Sequence, residues 1–142
     1  MDMLDGKVVL LTGASKGIGA ATAAVLAREG AALVAHYGSD RAEAEAAIRG
    51  GKALLLQADF RDPATVDRLW RDALARRGGI DVLVNNAARM LTHGSFDVGQ
   101  EAWDAVWAET FAVNVTAPAR LTRHAVNHFR GTDGGIAVAI SS

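Results

Sequence analysis

The stretch TGASKGIGAAT, residues 12–22, joins an apolar run to an alanine-rich run through three glycines, and it is the strongest indication of fold in the sequence. Gly13, Gly17 and Gly19 have no side chains, so the backbone can turn tightly and approach a ligand. The N-terminus of the helix that follows offers free N–H groups and a positive dipole end to an anion. A mononucleotide phosphate loop would have Gly-Lys followed by Ser or Thr, whereas Lys16 precedes Gly17. The stretch favours the pyrophosphate of a dinucleotide, although three glycines also suit a tight turn with close helix packing.

Apolar runs alternate with helical runs along the rest of the chain. The predicted strands are 7–13, 31–37, 52–59, 80–88 and 136–140, and the predicted helices are 17–30, 40–51, 62–79 and 100–129. Strands that are apolar nearly throughout indicate a parallel sheet covered by helices on both faces. We therefore predict an α/β fold with a doubly wound parallel sheet of the Rossmann type, five strands of it in one dinucleotide-binding domain over residues 1–142. Ligands in such sheets bind beyond the carboxyl ends of the strands.

Composition excludes several classes of function. Of 142 residues, half are hydrophobic and 22% are charged, and the net charge is −1. Nucleic acid and anionic membranes are not expected partners, because both require clustered Lys and Arg. Cysteine is absent, which excludes disulfides, thiolate nucleophiles and cysteine metal sites. The first apolar run is too short to span a membrane and unlike a signal peptide, so we expect a cytoplasmic protein.

Four further motifs stand near strand or helix ends. They are AD at residues 58–59, NNAA at 85–88, VNV around Asn114, and ISS at 140–142. With TGASKGIG, these motifs closely resemble the short-chain dehydrogenase/reductase family in its classical, single-domain form. The resemblance covers nearly the whole chain. Relatives usually have Asn-Asn-Ala-Gly after the fourth strand, so Ala88 in place of glycine is a small departure.

The resemblance implies a nicotinamide dinucleotide and a set of contacts to it. Asp59 matches the residue that accepts a hydrogen bond from the adenine amino group; its alternative role is a helix cap, with Asp62 nearby. Asn86 matches a residue on the ribose and nicotinamide side, although asparagines there also satisfy loop backbone groups. The predicted cofactor-binding residues are Gly13, Ser15, Lys16, Gly17, Ile18, Gly19, Tyr37, Asp59, Phe60, Asn86, Ala87 and Ala88.

The end of the second strand indicates which dinucleotide is preferred. A carboxylate at this point bonds the ribose 2′-hydroxyl of NAD and repels a 2′-phosphate, whereas basic residues accommodate NADP. Tyr37 occupies the position where NAD-preferring relatives have the acid, and Lys16 reaches toward the same pocket. The sequence thus favours NADP(H) over NAD(H). Asp40 is the alternative acid, although it has the position of a helix N-cap.

Catalysis in this family needs a tyrosine whose phenol is acidified by a lysine four residues later. The resemblance implies that Ser142 polarises the oxygen of a small carbonyl or alcohol substrate and that Asn114 positions a proton-relaying water. A strand-end hydroxyl that bonds local backbone is the alternative role for Ser142. The one tyrosine, Tyr37, is followed four residues later by Arg41. We therefore expect the cofactor-binding portion of an oxidoreductase, without activity by itself. A complete, catalytically silent binding or interaction module is the alternative.

Two other groups of side chains have weaker functional interpretations. His124 and His128 are four residues apart on a predicted helix, but no third ligand is evident, so no metal site is predicted. Trp70, Trp103 and Trp107 are expected in the core or in a subunit contact. Relatives commonly pack the helix at 100–129 against a second subunit, so we expect a homo-oligomer.

Overall fold

The computed structural model describes residues 3–49, 52–92 and 94–141. In chain order its elements are β1 (Val8–Leu11), α1 (Gly17–Arg28), β2 (Ala32–Tyr37), α2 (Arg41–Ala47), β3 (Leu54–Gln57), α3 (Pro63–Arg77), β4 (Val82–Asn85), α4 (Gln100–Phe111), a π-helical turn (Ala112–Thr116), α5 (Ala117–Arg130) and β5 (Ile136–Ala139). Within these residues, no helix is both long and apolar enough to cross a bilayer. The alternation of strands and helices follows the predicted order, with strands shorter than the apolar runs that predicted them.

The strands form one sheet in the order β3-β2-β1-β4-β5, and every neighbouring pair is parallel. The chain builds outward from β1 to β3, then returns to the other side of β1 to add β4 and β5. The strand order therefore reverses between β1 and β4, which is where ligands bind in open α/β sheets. The predicted doubly wound Rossmann-type fold is confirmed.

The sheet has a separate apolar core on each face. Alternate residues of a strand point to opposite faces, so neighbouring residues of β1 and β2 enter different cores. The core beneath α3 and α5 contains Leu10, Val34, Leu69, Trp70, Leu83 and Leu121, and the core beneath α1 contains Val9, Leu11, Ala23, Leu33 and Ala35. Both cores lie beside β1, which holds that strand rigidly under the turn that follows it.

Helix ends form as the sequence predicts. The Asp40 carboxylate accepts the Glu43 N–H at 2.9 Å and caps α2, and the Asp62 carboxylate accepts the Ala64 N–H at 2.9 Å and caps α3. Pro63 begins α3, where its missing N–H costs nothing. Gly78 ends α3 in the left-handed conformation, with φ of 77°.

The predicted helix at 100–129 is interrupted in the structure. The π-helical turn over Ala112–Thr116 separates α4 from α5. Pro118, near the start of α5, has no N–H for the carbonyl of Asn114 four residues earlier, so regular α-helical bonding cannot continue there. Asn114 therefore lies in a local distortion of the helix rather than in regular α-helix, a geometry that is frequent at functional sites.

Candidate functional site

The turn between β1 and α1 is packed too closely for side chains. Gly13 has φ of 67°, and a Cβ on it would lie 2.8 Å from the Cα of Ala87. A Cβ on Gly19 would lie 1.8 Å from the Gly13 carbonyl oxygen. The start of α1 thus rests directly on the turn, and the turn rests on the loop after β4. Glycine at both positions is a steric requirement of this packing.

Thr12 joins the turn to the loop after β4. Its Oγ1 accepts the N–H groups of Asn86 and Ala87 at 3.0 and 2.9 Å, and the side-chain amide of Asn86 donates back to the carbonyls of Thr12 and Gly13. Thr12 is 1% exposed. The expected role of Asn86 in satisfying backbone groups is confirmed, and its fixed position lets Ala87 and the exposed Ala88 border the crevice.

The N-terminus of α1 has the polarity that an anion requires. Lys16, at the N-cap position, makes no side-chain capping bond, and the first turn holds no acid. Lys16, Gly17 and Ile18 are exposed beside the crevice, and Ser15 is partly exposed. Unneutralised N–H groups and an adjacent ammonium group favour a phosphate here. The glycine cradle and this positive helix end together fit the diphosphate of a dinucleotide.

Asp59 and Phe60 form the edge of the site after β3. The Asp59 carboxylate accepts the backbone N–H of Arg61 at 3.0 Å and pairs with the guanidinium of Arg61 at 2.6 Å. These contacts, the guanidinium bond first, hold the pKa of Asp59 below its usual range. Asp62 caps α3, so Asp59 is not the N-cap residue. Its charged, partly exposed carboxylate remains at the site edge.

The end of β2 carries the groups expected to distinguish the two nicotinamide dinucleotides. Tyr37 is buried at the last position of β2, and Asp40 is engaged in capping α2. The guanidinium of Arg41 bonds Glu45 at 2.7 Å, and Glu45 first and Tyr37 second raise the pKa of Arg41 above its ordinary value. Asp40 therefore has the capping role that the sequence favours for it. The cation Arg41 thus interacts with Tyr37 in this part of the site.

Asn114 fastens the loop after β4 to the π-helical turn. Its Oδ1 accepts the Arg89 N–H and its Nδ2 donates to the Arg89 carbonyl, both at 2.8 Å. A groove of about 640 Å³ runs from Asn114 along α5 to Asn85 and Ala139. The buried Oδ1 of Asn85 has no hydrogen-bond partner among the described residues. Ser142, the predicted catalytic serine, lies outside the described residues.

His124 and His128 have separate structural partners. The His124 ring bonds the Asp67 carboxylate at 2.8 Å and stacks on Trp70, and the His128 ring accepts the Ile80 N–H at 3.3 Å. The bond from Arg120, followed by that from His124, lowers the pKa of Asp67 to about 2. These contacts fasten α5 to α3 and β4. In residues 3–49, 52–92 and 94–141, no cluster of His, Cys, Asp and Glu is arranged to hold a metal ion.

His36 is the site residue that sequence reasoning missed. The imidazole is 3% exposed and stacks on Phe60 with 4.2 Å between ring centroids. Its Nδ1 accepts the Gly13 N–H at 3.1 Å, and its Nε2 lies 2.9 Å from the Ala58 carbonyl oxygen. A histidine in an otherwise apolar strand, next to the strand's end, is the signal that could have found it.

The model of the short chain dehydrogenase family matches residues 7–142. The chain belongs to this family. It is 39% identical to an oxidoreductase of Methylorubrum extorquens, over all of this chain and 57% of that protein. It is 36% identical to versicolorin reductase of Emericella nidulans, over 98% of this chain and 52% of that protein.

Solved structures of the family have the same fold. A short-chain dehydrogenase/reductase from Serratia marcescens superposes with a TM-score of 0.82 at 36% identity, over 98% of this chain and 56% of that one. The chain thus spans about half the length of the curated relatives it matches. Family membership and this superposition show that the chain has the Rossmann-type fold of short-chain dehydrogenases/reductases.

Proposed function

We propose that this protein binds NADP(H) across the carboxyl ends of β1 and β4 and belongs to an enzyme that transfers a hydride between nicotinamide and a small carbonyl or alcohol. The observation that carries the proposal is the closely packed glycine turn at the point where strand order reverses. A Cβ on Gly19 would overlap the Gly13 carbonyl, and the uncapped, positive start of α1 lies directly above that turn. This combination fits a diphosphate.

Each part of the site has a distinct task in this proposal. The turn from Gly13 to Gly19 binds the diphosphate, and Asp59 accepts a hydrogen bond from the adenine amino group beside Phe60. Asn86, Ala87 and Ala88 border the ribose and nicotinamide. When bound, the nicotinamide supplies or accepts the hydride. Asn114 orders a water for proton transfer, and Ser142 polarises the substrate oxygen.

Preference for NADP(H) follows from charge near the adenine ribose. Lys16 is exposed at the start of α1, Tyr37 stands in place of the acid that would repel a 2′-phosphate, and the Asp40 carboxylate already accepts the Glu43 N–H. A cation next to a phosphate contributes a charge-assisted hydrogen bond, whereas the 2′-hydroxyl of NAD gains much less from it. The site is therefore proposed to bind NADPH more tightly than NADH.

Calorimetric titration of NADPH and NADH tests the preference. Lys16→Ala should weaken NADPH binding about tenfold and NADH binding much less, as expected for one lost bond to a charged group. Lys7→Ala is the matched control, because Lys7 lies before β1, at the opposite edge of the sheet, and pairs with Asp81. Equal affinities of the wild type for both dinucleotides, or tighter NADH binding that Asp40→Ala abolishes, would contradict the preference.

Residues 1–142 alone are proposed to bind the dinucleotide without turning over substrate. The one tyrosine, Tyr37, is buried at the end of β2 and has no lysine four residues later. A positioned general acid is worth about 10²- to 10⁴-fold in rate. NADPH oxidation with a panel of ketones should therefore be undetectable for these residues. Measurable turnover would mean that the catalytic acid is a residue to which we give another role.

We also propose that α4 forms a contact with a second copy of the chain. None of its residues is buried, and Trp107 and Phe111 are 46% and 51% exposed in a row of ring contacts along the helix. Trp107→Glu should shift a dimer to monomer in sedimentation. Val25→Glu, on the opposite layer of the fold, should not. A clean wild-type monomer at micromolar concentration would contradict this contact.

A further inference from the structure

The His36 ring lies beneath the proposed cofactor site and contacts both of its halves. On one side, Nδ1 accepts the N–H of Gly13, in the turn after β1. On the other, Nε2 bonds the carbonyl of Ala58 at the end of β3, and the ring face stacks on Phe60 at an interplanar angle of 7°. One side chain thus connects the turn proposed for the diphosphate with the wall proposed for the adenine.

The partners of the ring define its protonation state. The Gly13 backbone N–H can only donate, so Nδ1 carries no proton, and the Ala58 carbonyl can only accept, so Nε2 carries one. Both bonds exist together only in the neutral Nε2–H tautomer. Burial lowers the pKa of His36 to about 4, against the opposing effect of the Ala58 bond. The ring therefore keeps this single form near neutral pH.

The other side of the glycine turn is fastened independently. Thr12 and Asn86 tie the turn to the loop after β4 through four hydrogen bonds. The Gly13 backbone already packs closely on Ala87, since a Cβ on Gly13 would lie 2.8 Å from the Ala87 Cα. Without the imidazole, the Gly13 N–H and the Ala58 carbonyl would each lose a buried partner. The turn and Ala58 would then be held to β2 only by backbone bonds, from the Ala14 N–H to the His36 carbonyl and from the Ala58 N–H to the Tyr37 carbonyl.

We propose that His36 is a positioning residue for the dinucleotide, one whose ring fixes the separation between the glycine turn and the Ala58–Phe60 wall without touching the cofactor. The inference rests on the proposed cofactor site. It assigns to His36 an effect on cofactor affinity that a histidine with a purely structural role, such as His128, does not have. Preorganised sites bind more tightly because binding need not order them.

The tautomer is measured directly by NMR. In protein labelled with ¹⁵N at histidine, the Nδ1 and Nε2 shifts of His36 at neutral pH should be those of the Nε2–H form. The Nδ1–H tautomer or the imidazolium ion would overturn the inference, because neither can accept from Gly13 while donating to Ala58. This measurement needs no variant and no ligand.

Affinity is tested with three variants and NADPH. His36→Phe keeps a ring to stack on Phe60 but removes both hydrogen bonds, and should weaken NADPH binding about tenfold. His36→Asn keeps an acceptor near the Gly13 N–H and should recover part of the affinity. His128→Phe is the matched control, because His128 also accepts a backbone N–H, that of Ile80, before β4 begins. Its NADPH affinity should stay within about twofold of the wild type.

The outcomes separate this inference from the proposed function. Unchanged NADPH affinity in His36→Phe, or equal losses in His36→Phe and His128→Phe, would overturn the positioning role while leaving the cofactor site in place. A wild type that binds no dinucleotide would overturn both proposals. Should His36→Phe fail to fold, two other measurements decide. Wild-type NADPH affinity in His36→Asn would overturn the inference, and so would any form of His36 other than the Nε2–H tautomer in the wild type.

Discussion

The carboxyl ends of β1 and β5 lie at the same edge of one sheet, but the side chains around the end of β1 are buried and those of β5 are exposed. After β1, the Thr12 hydroxyl accepts backbone N–H groups of the loop after β4 and the His36 ring accepts that of Gly13, and both side chains are almost fully buried. On β5, Ile136 is 60% and Val138 is 38% exposed, although both lie in a regular parallel pairing with β4. The β1 side is closed by contacts within the described chain, and the β5 side is open.

This difference shows where the fold's stability and its function are concentrated. A buried polar group without a partner is costly, so the dense bonding after β1 stabilises one turn conformation. Exposed apolar residues on β5 contribute only part of the roughly 1.5 to 3 kcal/mol that each could supply if fully buried. Substitutions at the β1 turn should therefore affect both stability and binding, and substitutions on β5 should affect neither strongly.

The largest effect is expected at Gly19. Gly19→Ala places a Cβ on the Gly13 carbonyl, so the turn must shift, with a loss of about 3 kcal/mol in the free energy of unfolding. NADPH binding should become undetectable. Gly79→Ala is the control, because a Cβ there meets nothing within 4 Å. Urea unfolding measures the stability of both variants, and calorimetry measures their NADPH binding. Equal stability of Gly19→Ala and Gly79→Ala would contradict the steric requirement for glycine at position 19.

Acidification should lower the free energy of unfolding through His36. The ordinary pKa of a histidine is 6.5, and burial in the folded protein lowers the pKa of His36 to about 4, so the unfolded chain binds the proton more readily. The contribution of the neutral ring is complete above about pH 6.5 and decreases by about 2 to 3 kcal/mol as the pH falls to about 4. Urea unfolding across this range should show that His36→Phe lacks this part of the slope. Parallel curves for the variant and the wild type would mean that folding does not change the pKa of His36.

A smaller effect is expected at Thr12. Thr12→Val removes the hydroxyl that accepts the Asn86 and Ala87 N–H groups, at a cost of about 2 kcal/mol. Thr12→Ser keeps the acceptor and should remain close to the wild type. Thermal and urea unfolding compare the two. If Thr12→Val is as stable as the wild type while Thr12→Ser is destabilised, packing of the methyl group rather than hydrogen bonding holds this turn.

The smallest effect is expected on β5. In residues 1–142, Val138→Thr should cost less than about 0.5 kcal/mol, whereas Val9→Thr, at a position 1% exposed, should cost about 1 to 2 kcal/mol. The same substitution thus compares the two regions. Similar losses of unfolding free energy at both positions would show that β5 is covered in solution, and a concentration dependence would identify a second copy as the cover.

Local sequence was sufficient to predict the order of the elements and several of their ends. Strand runs, the Gly13–Gly19 turn and the caps at Asp40 and Asp62 depend on neighbouring residues, so their patterns are readable in order. The π-helical turn at Asn114 is hidden in the sequence because the apolar pattern continues through it, and its one local signal is Pro118, which has no N–H for the Asn114 carbonyl. The role of His36 was missed because it depends on β2 lying between β1 and β3, which only the folded sheet provides.

The most direct test of the central claim is a titration of ¹⁵N-labelled protein with NADPH, followed residue by residue in amide NMR spectra. The account predicts the largest shifts at residues 12–19, with further shifts at Asp59 and at 86–88. The opposite edge of the sheet carries a basic surface formed by Lys52, Arg76 and Arg77, where a negatively charged ligand could bind without a dinucleotide site. Largest shifts at that surface, with residues 12–19 unchanged, would contradict the account.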